Sequence, residues 1–103
     1  MQYYRFVEEI FGNKTKVMLL RVFYTFPDKV WTARELAKYV RTYHTTVLDN
    51  LTDLVNYGII KIGMHGKGST VQVNKKSFIF KDILCPLFEK EKKSFEELSI
   101  SLK

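Results

Sequence analysis

The sequence has few cysteines, prolines and glycines and lacks long apolar runs, which excludes several classes of protein. It contains one cysteine, two prolines and five glycines in 103 residues. The single Cys85 excludes an intrachain disulfide and leaves a cysteine-based zinc site unsupported. The scarcity of proline and glycine excludes collagen-like and linker-like chains. The longest apolar runs, such as residues 17–20, are far too short to cross a bilayer, so we expect no membrane segment.

Motifs for catalysis and cofactor binding are missing as well. The two histidines, His44 and His65, are far apart in the sequence, so we expect no metal-ligand cluster. Neither a phosphate-binding loop nor a nucleophile elbow occurs, and the glycines beside Lys67 indicate a turn. Two acids in the first nine residues, where a signal peptide is apolar, favour a cytoplasmic location. The sequence therefore predicts a binding protein without a cofactor, and not an enzyme.

The positive charge of the chain lies in its first three quarters. Residues 1–76 hold 12 Lys and Arg against 6 Asp and Glu, whereas residues 77–103 hold 5 of each. A basic unit followed by a neutral segment is typical of a protein that binds a polyanion. Many small domains are equally basic for solubility alone, so the charge favours nucleic acid without proving it.

Apolar spacing and capping signals predict helices over the first half of the chain. Asn13 is suited to cap a helix, Thr32 and Glu35 form a capping box, and Gly58 is suited to end a helix. Only residues 41–43 separate the last two helices, which is the spacing of a helix-turn-helix. The predicted helices are residues 1–12, 14–26, 33–40 and 44–57, and the buried stripe of the last is Val47, Leu48, Leu51, Leu54 and Val55.

The remaining elements complete a recognisable order. A strand stub at Val30 and Trp31 precedes the helix-turn-helix, and a β-hairpin over residues 59–73 follows it. Trp31 is expected in the core against the hairpin. This order of elements predicts a winged helix-turn-helix domain, of the α+β, mostly α class, over residues 1–76. The order is helices, strand stub, helix-turn-helix and hairpin.

A last helix within residues 77–103 is predicted from residue 78 to 98, with Pro86 starting or kinking its second part. Its apolar stripe has no later domain to cover it, so we expect a homodimer built on this helix. Cys85 is expected to be an inert, buried small hydrophobe. The residues predicted for the dimer interface are Phe80, Ile83, Leu84, Leu87, Phe88 and Phe95.

Four segments resemble small prokaryotic winged helix-turn-helix transcriptional regulators of the ArsR/MarR-like kind. The similarity covers roughly residues 10–76. It implies a homodimer that binds double-stranded DNA, with the helix over residues 44–57 in the major groove and the hairpin on the flanking backbone or minor groove. It leaves any small-molecule effector unknown. The segments are F-G-N-K-T-K-V at 11–17, T-A-R-E-L-A at 32–37, H-T-T-V-L at 44–48 and L-V-N-Y-G-I-I at 54–60.

The candidate DNA contacts surround the start of that helix and the hairpin. Hydroxyl groups can donate to phosphate, threonine methyls can touch thymine, and an asparagine can pair with adenine. Relatives often have a serine before the H-T-T-V, and its capping role must fall to Thr42 here or be lost. The predicted contacts are Arg41, Thr42, Tyr43, His44, Thr45, Thr46, Asn50, Lys61, His65 and Lys67.

Two carboxylates favour a different function. Asp49 and Asp53 are expected on the exposed side of the same helix, where they would repel phosphate. The alternative is a winged-helix adaptor that binds other proteins in a transcription or repair complex.

Overall fold

The computed structural model describes residues 10–65 and 68–101, and within these it omits the side chains of residues 64, 65, 68, 95 and 97–101. The predicted leading helix therefore lies outside the described residues, apart from helical Ile10 and Phe11. The mostly helical, winged helix-turn-helix class predicted from the sequence is confirmed. In order, the elements are α1 (Lys14–Thr25), α2 (Ala33–Val40), α3 (His44–Asn56), β1 (Ile60–His65), β2 (Gly68–Val73), a π-helical segment (Ile79–Leu84) and α4 (Cys85–Ser101).

Helix α1 is capped and tied to α3 by one asparagine. Asn13 is the N-cap, and its Oδ1 accepts a hydrogen bond from the backbone N–H of Lys16 at 3.1 Å, as predicted. Its Nδ2 donates to Oδ1 of Asn50 on α3 at 3.0 Å. The Nδ2 of Asn50 donates in turn to the backbone carbonyl of Thr46 at 2.8 Å. This chain of bonds sets how α3 is rotated about its axis against α1.

The helix-turn-helix is set by local capping. The Thr32 hydroxyl accepts from Glu35 N–H at 3.2 Å, and the Glu35 carboxylate accepts from Thr32 N–H at 3.0 Å, which confirms the predicted capping box. Helix α2 ends at Arg41 in the left-handed conformation, with φ of 58°. Tyr43 is the N-cap of α3 and makes no side-chain capping bond, so the capping role is lost and does not pass to Thr42.

The hairpin of β1 and β2, here called the wing, is antiparallel, with Ile60 opposite Val73 and His65 opposite Gly68. The predicted strand stub joins it, because Trp31 and Val71 exchange two backbone hydrogen bonds of 2.8 and 2.6 Å. The Trp31 side chain is 2% exposed, so its predicted place in the core against the wing is confirmed.

The C-terminal part of the chain packs on the chain's own core. Phe80, Leu84 and Phe88 are at most 5% exposed and belong to the same cluster as the buried side chains of α1 and α3. The reason for placing these three at a dimer interface, that nothing in the chain covers them, is therefore wrong. Ile83 is half-buried against this core, whereas Leu87 is 41% exposed, and the Phe95 side chain lies outside those described.

Helix α4 also contacts α1 through polar and aromatic groups. Pro86 is the second residue of α4 and follows directly on the π-helical segment, so the second part of the predicted helix starts beside it. The Arg21 guanidinium makes two hydrogen bonds to the Glu91 carboxylate, at 3.1 and 2.5 Å, and lies 5.9 Å from the ring centroid of Phe88.

Cys85 lies half-buried against the core, as a small apolar residue would. Burial raises the pKa of its thiol, and the Glu89 carboxylate raises the pKa further. The thiol therefore stays protonated near neutral pH, which agrees with the predicted inert role.

Candidate nucleic-acid interface

One face of α3 is exposed along its whole length. Because its exposed residues recur every three or four positions, they form a single stripe, which we call the α3 stripe. Val47, Leu51 and Leu54 lie on the opposite face and are at most 2% exposed. The α3 stripe consists of Thr45, Leu48, Asp49, Thr52 and Asn56.

Three members of the α3 stripe, Leu48, Thr52 and Asn56, were missed by the sequence analysis. Leu48 was predicted to be buried with Val47, yet it is 44% exposed. The spacing contains the signal, because Leu48 is three residues from Thr45 and four from Thr52. Hydropathy alone placed Leu48 in the core, because an exposed leucine runs against the usual pattern.

Asn50 does not belong to the interface, and its prediction as a DNA contact is corrected. Its side chain is 7% exposed and bonded to Asn13 and to the carbonyl of Thr46. An amide used in this way is not free to pair with adenine. Its position three residues after Val47 and four before Leu54 is the sequence signal of the buried face.

Asp53 is half-buried and paired with a cation, so it repels phosphate less than the sequence predicts. Its carboxylate lies 2.7 Å from the Nζ of Lys16, whose side chain is 9% exposed. The pair neutralises Asp53 and holds α3 to α1. Asp49 therefore remains as the carboxylate of the α3 stripe.

The other predicted contacts cluster at the start of α3. Arg41, Tyr43 and Thr45 are exposed, and Tyr43 is 80% exposed. Thr42, His44 and Thr46 are half-buried. Three of these six residues form the connection between α2 and α3, and the other three form the first helical turn of α3.

The wing carries the remaining candidates. Lys61 is exposed on β1, and Ile62 beside it is 51% exposed. The side chain of His65 is outside those described, and Lys67 lies outside the described residues, so both stay predictions.

A groove joins α2, α3 and the wing. It has a volume of about 350 Å³ and runs from the start of α2 past α3 to β2. Arg34, on its α2 side, is exposed, as are Lys38 and Arg41, which gives this side of the molecule cationic groups. The groove is lined by Thr32, Ala33, Arg34, His44, Leu48 and Ser69.

The described fold and site define a winged-helix protein: a helix-turn-helix with an exposed second helix, followed by a hairpin that pairs with a strand stub. No protein-family model matches the chain, and no curated protein matches it in sequence. None of the described helices has the length and hydropathy needed to cross a bilayer.

Two solved structures of MepR have a similar fold. The Staphylococcus aureus MepR–DNA complex superposes with a TM-score of 0.64 at 15% identity, covering 94% of this chain and 86% of MepR. A structure of MepR, described as a transcription regulator of the S. aureus multidrug efflux pump MepA, gives 0.57 at 14% identity over 100% of both chains. MepR is a winged-helix regulator of the MarR family, so the MarR-like part of the resemblance is supported as to fold. Similarity to ArsR proteins and a prokaryotic origin stay predictions.

Proposed function

We propose that this chain is a DNA-binding transcription regulator that places α3 in the major groove and the wing on the flanking backbone or minor groove. The observation that carries the proposal is the α3 stripe, a continuous exposed helix face beside a groove open toward the wing. The major groove of B-DNA is about 12 Å wide and admits one α-helix. A helix-turn-helix presents its second helix in this way.

Cationic and hydroxyl groups around the stripe supply phosphate contacts in this arrangement. Arg41 and Tyr43 lie where the chain enters α3, Arg34 lies across the groove, and Lys61 lies on the wing. Such contacts position a protein on the duplex without reading its sequence. The excess of 12 basic over 6 acidic residues in positions 1–76 adds long-range attraction.

Under this proposal the chain acts in the cytoplasm as a homodimer, and it has neither a cofactor nor a catalytic activity. MepR, which shares the fold, has been solved in complex with DNA, and this supports duplex DNA as the ligand here. Leu87, exposed on α4, is available to a second copy. A dimer would bind two half-sites related by its own two-fold symmetry.

We expect binding to duplex DNA to weaken steeply with salt. If two protomers neutralise about 4–8 phosphates, log K falls against log salt with a slope of roughly −4 to −7. Fluorescence anisotropy of a labelled random duplex between low and physiological salt measures this slope, and a value about half as steep indicates a single protomer. A flat dependence, or no binding at low salt, contradicts the proposal.

Asp49→Asn is expected to raise affinity for random duplex. The carboxylate is exposed in the α3 stripe, and the amide removes its repulsion of phosphate with almost no change in shape. If Asp49 also accepts a hydrogen bond from a cytosine amino group, the variant loses about 1–3 kcal/mol of discrimination at one position of a selected site. Unchanged affinity for random DNA would mean that α3 does not approach the duplex.

One observation favours the adaptor as a second candidate. Leu48 and Asp49 lie side by side in the middle of the α3 stripe, where the carboxylate repels phosphate and the leucine offers apolar area that a partner protein can bury. Absence of duplex binding at every salt concentration would favour this alternative.

A further inference from the structure

Helix α3 has none of the side chains that most often read guanine. Its thirteen residues, H-T-T-V-L-D-N-L-T-D-L-V-N, include neither arginine nor lysine. Arginine or lysine bound to guanine O6 and N7 is the commonest specific base contact. Asn50, which could read adenine by residue type, is turned into the protein. Asn56 is exposed, but it is the last residue of α3, so base recognition by the middle of the α3 stripe must use other chemistry.

In the middle of the α3 stripe, from Leu48 to Thr52, the groups presented are apolar or accept hydrogen bonds. Leu48 is 44% exposed and lines the groove between α2 and the wing. Its neighbour on the stripe, Thr52, donates its hydroxyl to the backbone carbonyl of Leu48 at 3.0 Å, so that donor is already used. Asp49 offers only an acceptor at neutral pH. The middle of the stripe is thus suited to a methyl group and an amino group.

We propose that Leu48 determines specificity by contacting the C5-methyl group of a pyrimidine in the major groove. This rests on the proposed function, since it requires α3 to lie in that groove. The C5-methyl group is the one apolar feature that a standard base pair shows on this edge. Thymine carries it, and 5-methylcytosine presents the same group, so the shared chemistry is a 5-methylpyrimidine.

The experiment starts from a duplex that the full chain selects from a random pool. Each thymine is replaced singly by deoxyuridine, which removes the methyl group and leaves the hydrogen-bonding edge intact. Burying one methyl-sized group contributes about 0.8 kcal/mol, so affinity is expected to fall about fourfold at one or two positions. Because this comparison uses the unaltered protein, it does not depend on a variant that folds.

Leu48→Ala assigns the effect to this side chain. The variant is expected to bind the thymine and deoxyuridine duplexes equally. Val30→Ala is the matched control, because Val30 is exposed to the same extent as Leu48, 44%, but lies in the strand stub, outside α3 and outside the residues proposed to contact DNA or a second copy. It should keep the fourfold difference. A difference that persists in Leu48→Ala would assign the methyl contact to another residue and overturn the proposal.

A second series distinguishes the source of the methyl group. Each cytosine of the selected duplex is replaced singly by 5-methylcytosine, and a gain of about fourfold that disappears in Leu48→Ala also supports the proposal. If neither series changes affinity while binding stays salt-dependent, the role of Leu48 is refuted and the proposed function stands. If no duplex is bound at any salt concentration, both are refuted.

Discussion

Ending the chain after Lys76 is expected to abolish cooperative folding. The cut removes four large side chains, Ile79, Phe80, Leu84 and Phe88, each at most 5% exposed in the core shared with α1 and α3. Truncating one buried leucine or phenylalanine costs about 2–5 kcal/mol. The free energy of unfolding of a domain is about 5–15 kcal/mol. The summed cost of losing all four side chains is therefore similar to that free energy or larger. Thermal denaturation followed by circular dichroism measures the loss.

A shorter truncation is the matched control for this experiment. Ending the chain after Ser94 keeps Phe88 and the ion pair between Arg21 and Glu91. We expect this chain to unfold in one cooperative transition. The opposite outcome is a chain ending at Lys76 that is monomeric and also unfolds cooperatively. It would mean that the C-terminal helix is needed only for dimer formation, as the apolar stripe alone had indicated.

Asp53→Ala is expected to lower the free energy of unfolding by about 2–3 kcal/mol. It leaves the ammonium group of Lys16, whose side chain is 9% exposed, without its carboxylate partner. Removing one partner of a buried ion pair costs about 3–5 kcal/mol, and we take less because the Asp53 side chain is 48% exposed and solvent screens the pair. Urea unfolding of the variant and the unaltered chain measures the difference.

Two further variants test the cause. Adding Lys16→Met to Asp53→Ala removes both charges, so the double variant should recover much of the lost stability. Asp49→Asn, four residues away on the exposed stripe, should change stability by less than about 0.5 kcal/mol. An Asp53→Ala protein as stable as the unaltered chain would show that the ion pair contributes nothing, and that Lys16 finds water instead.

The helix boundaries followed from local chemistry. Three capping signals could be predicted from the sequence, because each acts on residues only a few positions away. They are the Asn13 cap, the capping box of Thr32 and Glu35, and Gly58, whose φ is 75°. The break at 41–43 was legible for the same reason. These local signals, in their order along the chain, were enough to predict the winged-helix fold.

The faces of α3 were harder to predict. Leu48 and Asn50 are two residues apart, and hydropathy assigned each to the wrong side. Hydropathy describes the free energy of moving a side chain out of water. It does not include the hydrogen bond from Asn13 to Asn50, which offsets the free-energy cost of burying the Asn50 amide. That bond joins residues 37 positions apart, so no local pattern contains it.

The sequence by itself determined which segments are helical, where they end, that a hairpin follows the helix-turn-helix, and that basic charge lies in residues 1–76. Only the tertiary structure decided what each apolar face is buried against and which charges are paired. Amphipathic spacing shows that the stripe containing Phe80, Leu84 and Phe88 must leave water, but the same free energy is gained against a second copy or against the chain's own core. Likewise, Asp49 and Asp53 are the same residue type on one helix. The Asp53 carboxylate is neutralised because Lys16 lies beside it, whereas the Asp49 carboxylate is exposed.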